Sequence, residues 1–286
     1  MFLRVIICMF ALIPITNTLD AGVWDHVQRL LGRTSNKLPQ TISVLVLHDQ
    51  PGVMLEVTGK YHIYDPHTNS HVSSRLIGKR KFLQPLAGGL KWGEEFPGIY
   101  QLHIVPDNRH VTSVVNGVEY RGTILVYDVG GTISIVNKVD IEDYLLSTLS
   151  PQFQEPLPEE TLSAIAIAAR TMALFQSQHP KNPYWAVDAK NVGYEGIKSV
   201  NLESDVAKAI RVTENMVLSK TGSYEGLVTP IAAQWGSITG GKQKKERAAV
   251  FSRISLYEAE EMGYRGKNAA QILTKGFPDS HIEILD

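Results

Sequence analysis

The 286-residue chain contains a single cysteine, Cys8, placed inside an apolar run near its N-terminus. A chain cleaved after that run carries no cysteine, which excludes a disulfide framework and a thiolate metal site. Net charge is nearly absent as well. The 28 lysines and arginines against 29 aspartates and glutamates leave −1, so no global electrostatic case exists for nucleic acid or for an acidic membrane surface. One local exception, Lys242-Gln243-Lys244-Lys245-Glu246-Arg247, reads as a solvated loop or helix start. Long apolar runs are lacking too. Val5 to Ile15 spans only eleven residues, too short to cross a bilayer and suited to the apolar region of a secretion signal. Met1-Phe2-Leu3-Arg4 supplies its basic front, and small residues between Thr16 and Ala21 offer cleavage positions. The pattern predicts a signal peptide at 1–21 and no transmembrane anchor after its removal. The expected product has about 265 residues and lies in the periplasm or cell envelope. The nine histidines show no pair at ligand spacing beside acids, and His62, His67 and His71 read as surface residues. No cofactor or metal site is expected. Neither Gly-x-Ser-x-Gly nor a phosphate-binding glycine loop occurs.

What is present falls into two regions, 22–117 and 118–286. "VWDHVQRLLG" predicts a short amphipathic helix before Gly32. From Thr41 the pattern turns to strands. "TISVLVLHD", "VMLEVTGKYHIYD" with a bend at Gly59, "GIYQLHIVPD", "HVTSVVNG", "VEYRGTILVYD" and "GTISIVNKV" give six strands in about 100 residues. Asp-Asn, Asn-Gly and Gly-Gly turns between them point to hairpins rather than β-α-β units. After Lys138 helices begin. Asp140 reads as the N-cap of "IEDYLLSTLS", with Asp143 at the reciprocal capping position. Pro158 suits the first turn of the next helix, whose positive end Glu159 and Glu160 favour. "VNLESDVAKAIRVTE" predicts a further helix, "MVLSK" and "TPIAAQWGS" strands, and residues 258–277 a helical pair broken between Gly263 and Gly266. The class is α+β: an antiparallel strand-rich N-terminal region, then a mixed helix and strand domain.

The central helix of that domain carries Ala164-Ile165-Ala166-Ile167-Ala168-Ala169 and then Arg170. Such a helix is buried all round. A buried guanidinium without partners costs several kcal/mol, so Arg170 requires carboxylates or carbonyls around it. Asp140, Glu142, Asp143, Glu159 and Glu160 are the carboxylates nearest in sequence. Two readings stand at this point: a structural buried ion pair, or the floor of a cleft. Tyr184, Trp185, Tyr194 and Trp235 are candidates for stacking on sugar rings, or core aromatics.

The stretch "YRGTILV…ISIVNKVDIEDYLLSTLSPQF…EETLSAIAIAARTMAL" resembles the stage II sporulation protein D and amidase-enhancer family of exported bacterial cell-wall proteins. Asn137, Asp140, Tyr144 and Leu145 match the family's asparagine-valine-leucine-glutamate-tyrosine-leucine run. Ala164, Ala166, Ala168, Ala169, Arg170 and Thr171 match its helix ending. Tyr194 and Gly196 follow in order, then Ala209, Thr213, Val217 and Leu218. Ser237, Gly240 and Gly241 resemble its serine-glycine-glycine segment, and "MGYRGKNAAQILTKGFPDSHIEIL" its C-terminal end. The resemblance covers about residues 118–286 and implies a peptidoglycan-associated domain. It implies glycan strands as partner, and a wall amidase as a second partner that some members stimulate. It also implies Ser150, Arg170, Tyr194, Ser237, Gly240 and Gly241 at the substrate. Members resemble lytic transglycosylases, in which one glutamate serves as acid and then base, a role that needs a carboxyl able to hold a proton at neutral pH.

This chain departs from that pattern where the chemistry sits. The family's glutamate falls on Gln152, whose amide neither supplies nor accepts the proton. Ile165 and Val192 stand where the family has glutamines. Scaffold positions are kept. Glu155, three residues on, is either an exposed loop carboxylate or a replacement acid. Three activities remain open: a glycan-strand binder in wall remodelling with weak or lost catalysis, an active lytic transglycosylase using Glu155 or assisted by Gln152, or a non-catalytic enhancer of a wall amidase.

Overall fold

The computed structural model describes residues 41–153, 155–180, 182–198, 200–220, 228–235 and 252–285. The expected signal peptide, the 22–38 segment, the 242–247 basic run and Ser237, Gly240 and Gly241 lie outside the described residues. The architecture is α+β with antiparallel sheets.

Among the described residues twelve strands precede the first long helix: β1 Thr41–Gln50, β2 Val53–Val57, β3 Tyr61–Tyr64, β4 His71–Arg75, β5 Lys81–Leu86, β6 Gly89–Trp92, β7 Glu94–Pro97, β8 Gln101–Pro106, β9 Ser113–Val115, β10 Val118–Tyr120, β11 Thr123–Asp128 and β12 Ile133–Asp140. With β13 (Val187–Asp188) they form a seven-stranded sheet, ordered β13-β1-β12-β11-β8-β3-β4, and a six-stranded sheet, ordered β10-β9-β2-β5-β6-β7. The expected bend at Gly59 separates β2 from β3, and these strands go to different sheets. "VEYRGTILVYD" likewise divides at Arg121-Gly122 into β10 and β11. The hydrogen bonding runs through residue 118: β10 pairs with β9, and β11 pairs with β8.

Alternation explains how the two sheets close on one core. Val53, Leu55 and Val57 of β2 are buried while Met54 and Glu56 are not, the period-2 signature of a strand with one wet face. These side chains, with Leu83, Leu90 and Trp92, share a cluster with Ile63, Leu102, Ile104, Ile124, Val126, Ile133 and Ile135 of the seven-stranded sheet. Trp92 donates its indole N–H to the Leu55 carbonyl at 3.1 Å, so the largest core residue has no orphaned polar atom.

Among the described residues six helices follow or interleave: α1 Ile141–Leu149, α2 Glu159–Gln178, α3 Ala189–Val192, α4 Asp205–Val212, α5 Leu256–Tyr264 and α6 Ala269–Gly276. Asp140 caps α1 as expected, its carboxylate accepting from the Glu142 N–H at 2.9 Å. Asp143 does not close a capping box. It accepts from Arg121 Nη1 at 2.6 Å, because an aspartate is one methylene short of the usual glutamate reach. The segment "TPIAAQWGS" is not a strand over its described part. It makes an isolated bridge from Pro230 to Ser219, since a proline cannot donate to a ladder. "MVLSK" is β14 (Met216–Lys220), and it pairs with β15 (Ser280–Ile284).

Helix α2 is the hub. Thr161 to Ala168 are buried without interruption. Leu162, Ile165 and Ala166 face the large core. Ala164, Ile167 and Ala168 face a second cluster built with Leu218, Ile254, Ala259, Ile272, Leu273 and Phe277. A helix with two hydrophobic neighbours needs no polar stripe, and alanine lets both approach closely.

Candidate functional site

Arg170 is 1% exposed. A guanidinium has five N–H donors, and each finds an acceptor. Nε and Nη2 grip Glu142 side-on, at 2.6 Å to Oε1 and 2.7 Å to Oε2. Nη2 also reaches the Ile210 carbonyl at 3.1 Å. Nη1 donates to the Met216 carbonyl at 3.1 Å and to Thr213 Oγ1 at 3.4 Å. The neighbouring Thr171 hydroxyl accepts the Leu218 N–H at 2.8 Å. The Arg170-Thr171 pair thus binds one carbonyl and one N–H of β14. At Arg170 itself the buried ion pair is realised, with no donor left over for a ligand, while Ala169, Met172, Ala173 and Gln176 of the same helix line a hollow.

Tyr194 is also interior, at 5% exposure. Its ring stacks between Tyr120 and Tyr144, with centroids 6.0 and 5.7 Å away. Its hydroxyl donates to Asn137 Oδ1 at 2.5 Å, and the Asn137 amide donates to the Arg121 and Thr123 carbonyls at 2.8 and 3.1 Å. Burial pushes the Tyr194 and Tyr144 phenols far up and that of Tyr120 to about 12, so all three stay neutral at physiological pH. Gly196, at φ +66°, completes the turn behind Tyr194. A Cβ there meets the Glu119 carbonyl oxygen at 2.2 Å, so only glycine fits.

The loop between α1 and α2 separates two hollows. One, of about 470 Å³, is lined by Gln152 with Tyr144, Met172, Gln176, Asn191 and Trp235 among others. The Gln152 amide N–H₂ donates to the Thr148 carbonyl at 2.7 Å. Its Oε1 has no hydrogen-bond partner among the described residues. The Trp235 indole N–H is buried, and it too has no partner among the described residues. The other hollow, about 390 Å³, is lined by Glu155 and Ser150 together with Phe153, Leu162, Asn201 and Asp205. Glu155 and Gln152 therefore serve different cavities. Of the four aromatics singled out, Trp235 lines the Gln152 hollow, while Tyr184 and Trp185 line a separate one of about 230 Å³. Gln176 and Asn191 were not among the expected site residues. Gln176 lies six positions beyond Arg170, and only the return of α3 to α2 reveals Asn191.

A fourth hollow, about 310 Å³, lies outside Arg170 and is lined by Asp140, Glu142, Asp143 and Glu214 with Arg109. Burial, and then the nearby Asp143 and Glu142, raise the Asp140 pKa. A raised folded-state value means the charged form opposes folding once pH exceeds the unfolded value. Asparagine caps a helix as well as aspartate. Asp140→Asn should therefore raise the midpoint of thermal unfolding at pH 7, with the gain fading as pH falls below the carboxylate range. Calorimetry across pH 3 to 7 measures this. Among the described residues no three His, Cys, Asp or Glu side chains are grouped to hold a metal ion.

Comparison with known proteins gives these features a frame. The stage II sporulation protein (SpoIID) family profile matches residues 129–219, from the start of the β12 hairpin to β14. An uncharacterized protein of Chlamydia pneumoniae is 31% identical over 248 residues, covering 86% of this chain and 82% of its own. One of Chlamydia muridarum is 28% identical over 250 residues, covering 86% and 78%. An uncharacterized Brachyspira hyodysenteriae protein is 31% identical over 121 residues, 42% of this chain and 32% of its own. With Asn137, Arg170, Thr171, Tyr194 and Gly196 all holding the matched segment together, the chain belongs to the SpoIID family.

Proposed function

We propose that this chain is an exported envelope protein that binds peptidoglycan glycan strands and takes part in their remodelling, with catalysis weak or lost. Family membership supports a cell-wall-related role. The observation that carries the finer reading is the Gln152 amide in the 470 Å³ hollow. It stands where the resemblance places an acid, and an amide moves no proton at neutral pH. It can still accept a sugar hydroxyl through Oε1, as can Gln176 and Asn191, while Trp235 offers an aromatic wall. Glu155 lines the other cavity, which argues against its acting at the same bond.

The test uses purified sacculi and glycan strands stripped of stem peptides. The chain is expected to co-sediment with sacculi and to release few or no 1,6-anhydro ends. Trp235→Ala and Gln176→Ala should each weaken binding, the tryptophan by roughly tenfold. Gln152→Glu is expected to gain cleavage. Vigorous cleavage by the unaltered chain, lost in Glu155→Ala, would overturn the binding reading. Failure to sediment with sacculi would instead favour docking on a wall amidase.

A further inference from the structure

The crossover from β4 to β5 carries a feature the glycan reading does not use. Leu76 and Ile77 are adjacent and 78% and 75% exposed, the highest among the exposed large hydrophobics of the described residues. Arg75, Lys79, Arg80 and Lys81 flank them. Between Asp65 and Glu94 the sequence has no acid and five lysines or arginines, on a chain whose net charge is −1. Arg75 pairs with Glu94. Lys79, Arg80 and Lys81 have no carboxylate within salt-bridge distance among the described residues.

The tip is held firmly. β4 is the edge of the seven-stranded sheet and β5 lies inside the six-stranded one, so the crossover is fixed at both ends. Gly78 lies against the backbone of β2, where an added Cβ meets the Val57 carbonyl oxygen at 2.0 Å. The two aliphatic side chains are thus presented outward by a short loop pinned immediately behind them.

We propose that this loop docks the protein on an anionic bilayer, with Leu76 and Ile77 entering the headgroup–acyl boundary and Lys79, Arg80 and Lys81 on the lipid phosphates. Charge alone would suit any polyanion, including an anionic wall polymer. Two exposed aliphatics at the centre of the charge favour a partner with hydrocarbon beneath its phosphates over a soluble polyanion. Such docking is independent of the Gln152 hollow.

A local probe isolates this contact from the apolar run at Val5–Ile15. The full chain is prepared with Cys8→Ser and Ile77→Cys, and its one thiol carries an environment-sensitive fluorophore. Vesicles of phosphatidylglycerol and phosphatidylethanolamine should shift the emission to the blue, at lipid concentrations at least tenfold below those needed with phosphatidylcholine. Salt at about 0.5 M should remove the shift. Lys79→Gln with Arg80→Gln should weaken it roughly twenty-fivefold, about fivefold per cation. Leu76→Asp should weaken it more than tenfold. The same dye at Tyr257→Cys, on exposed α5, should not respond. No shift with anionic vesicles overturns the proposal, as does an equal shift at position 257. A dye already blue-shifted before lipid is added would show the tip covered by another part of the chain and also overturn it. Soluble polyphosphate bound as tightly as vesicles, whether or not Leu76 is replaced, would make the loop a polyanion site instead.

Discussion

Replacing Arg170 with methionine should destabilise the protein by about 3–5 kcal/mol. The side chain is 1% exposed, and every one of its own donors is placed on an acceptor. Methionine fills similar volume but removes this donor from the buried Met216 carbonyl and leaves the Ile210 carbonyl only the long contact from the Thr213 hydroxyl at 3.4 Å. Glu142, whose side chain is 27% exposed, can turn toward water, so the two carbonyls carry much of the cost. Arg170→Lys should be nearly as harmful. Three donors on one nitrogen cannot hold a carboxylate side-on and two backbone carbonyls together. Glu142→Ala should be comparable, because it strands a buried cation. Urea titration gives the differences directly. For a chain of this size the melting midpoint should fall on the order of 10 °C.

Asn137→Ala should be the next most costly change, at roughly 3 kcal/mol. Asn137 is fully buried in β12, and alanine orphans the Arg121 and Thr123 carbonyls together with the Tyr194 hydroxyl. Each buried orphan costs about 1–3 kcal/mol, less whatever local relaxation recovers. Tyr194→Phe in the native background should cost about 1–2 kcal/mol, since it strands only Asn137 Oδ1. In the Asn137→Ala background it should be nearly neutral, because the hydroxyl is then already unpaired. A double-mutant cycle measured by chemical denaturation gives this coupling. Independent, additive effects would mean that the Tyr194–Asn137 bond does not operate in solution. Tyr194 follows Gly193 and Val192, which line the Gln152 hollow. Asn137→Ala should therefore weaken retention on sacculi as well as stability.

The need for partners at Arg170 was legible in the sequence, because an apolar helix cannot hold a bare guanidinium. Which carboxylate answers was not, since five lay within reach along the chain. Glu142 wins because α1 crosses α2 there. The carbonyl partners come from residues 210–216, a separation no local pattern encodes. The strand-rich region was legible where alternation was clean, as in β2, β8 and β11. It was not legible for β4 to β7, where Ser74-Arg75, Lys79-Arg80-Lys81 and Gly88-Gly89 interrupt any period and pairing alone defines the strands. At the site, Gln152 was found by register with the family, yet spacing placed Glu155 only three residues away. A loop that turns at proline sends those two side chains to different cavities, and proximity in sequence does not report it.

The stitching of α2 to β14 has a consequence for the order of manufacture. Arg170 emerges from the ribosome some forty residues before Ile210, Thr213 and Met216. Until they arrive, Glu142 can occupy only two of its five donors, and Thr171 has no Leu218 N–H to accept. The nascent chain can build its sheets, but it cannot bury its central helix dry. The last quarter of synthesis therefore decides whether the first three quarters become a finished interior, and a truncated product should be recognised by quality-control proteases as incomplete.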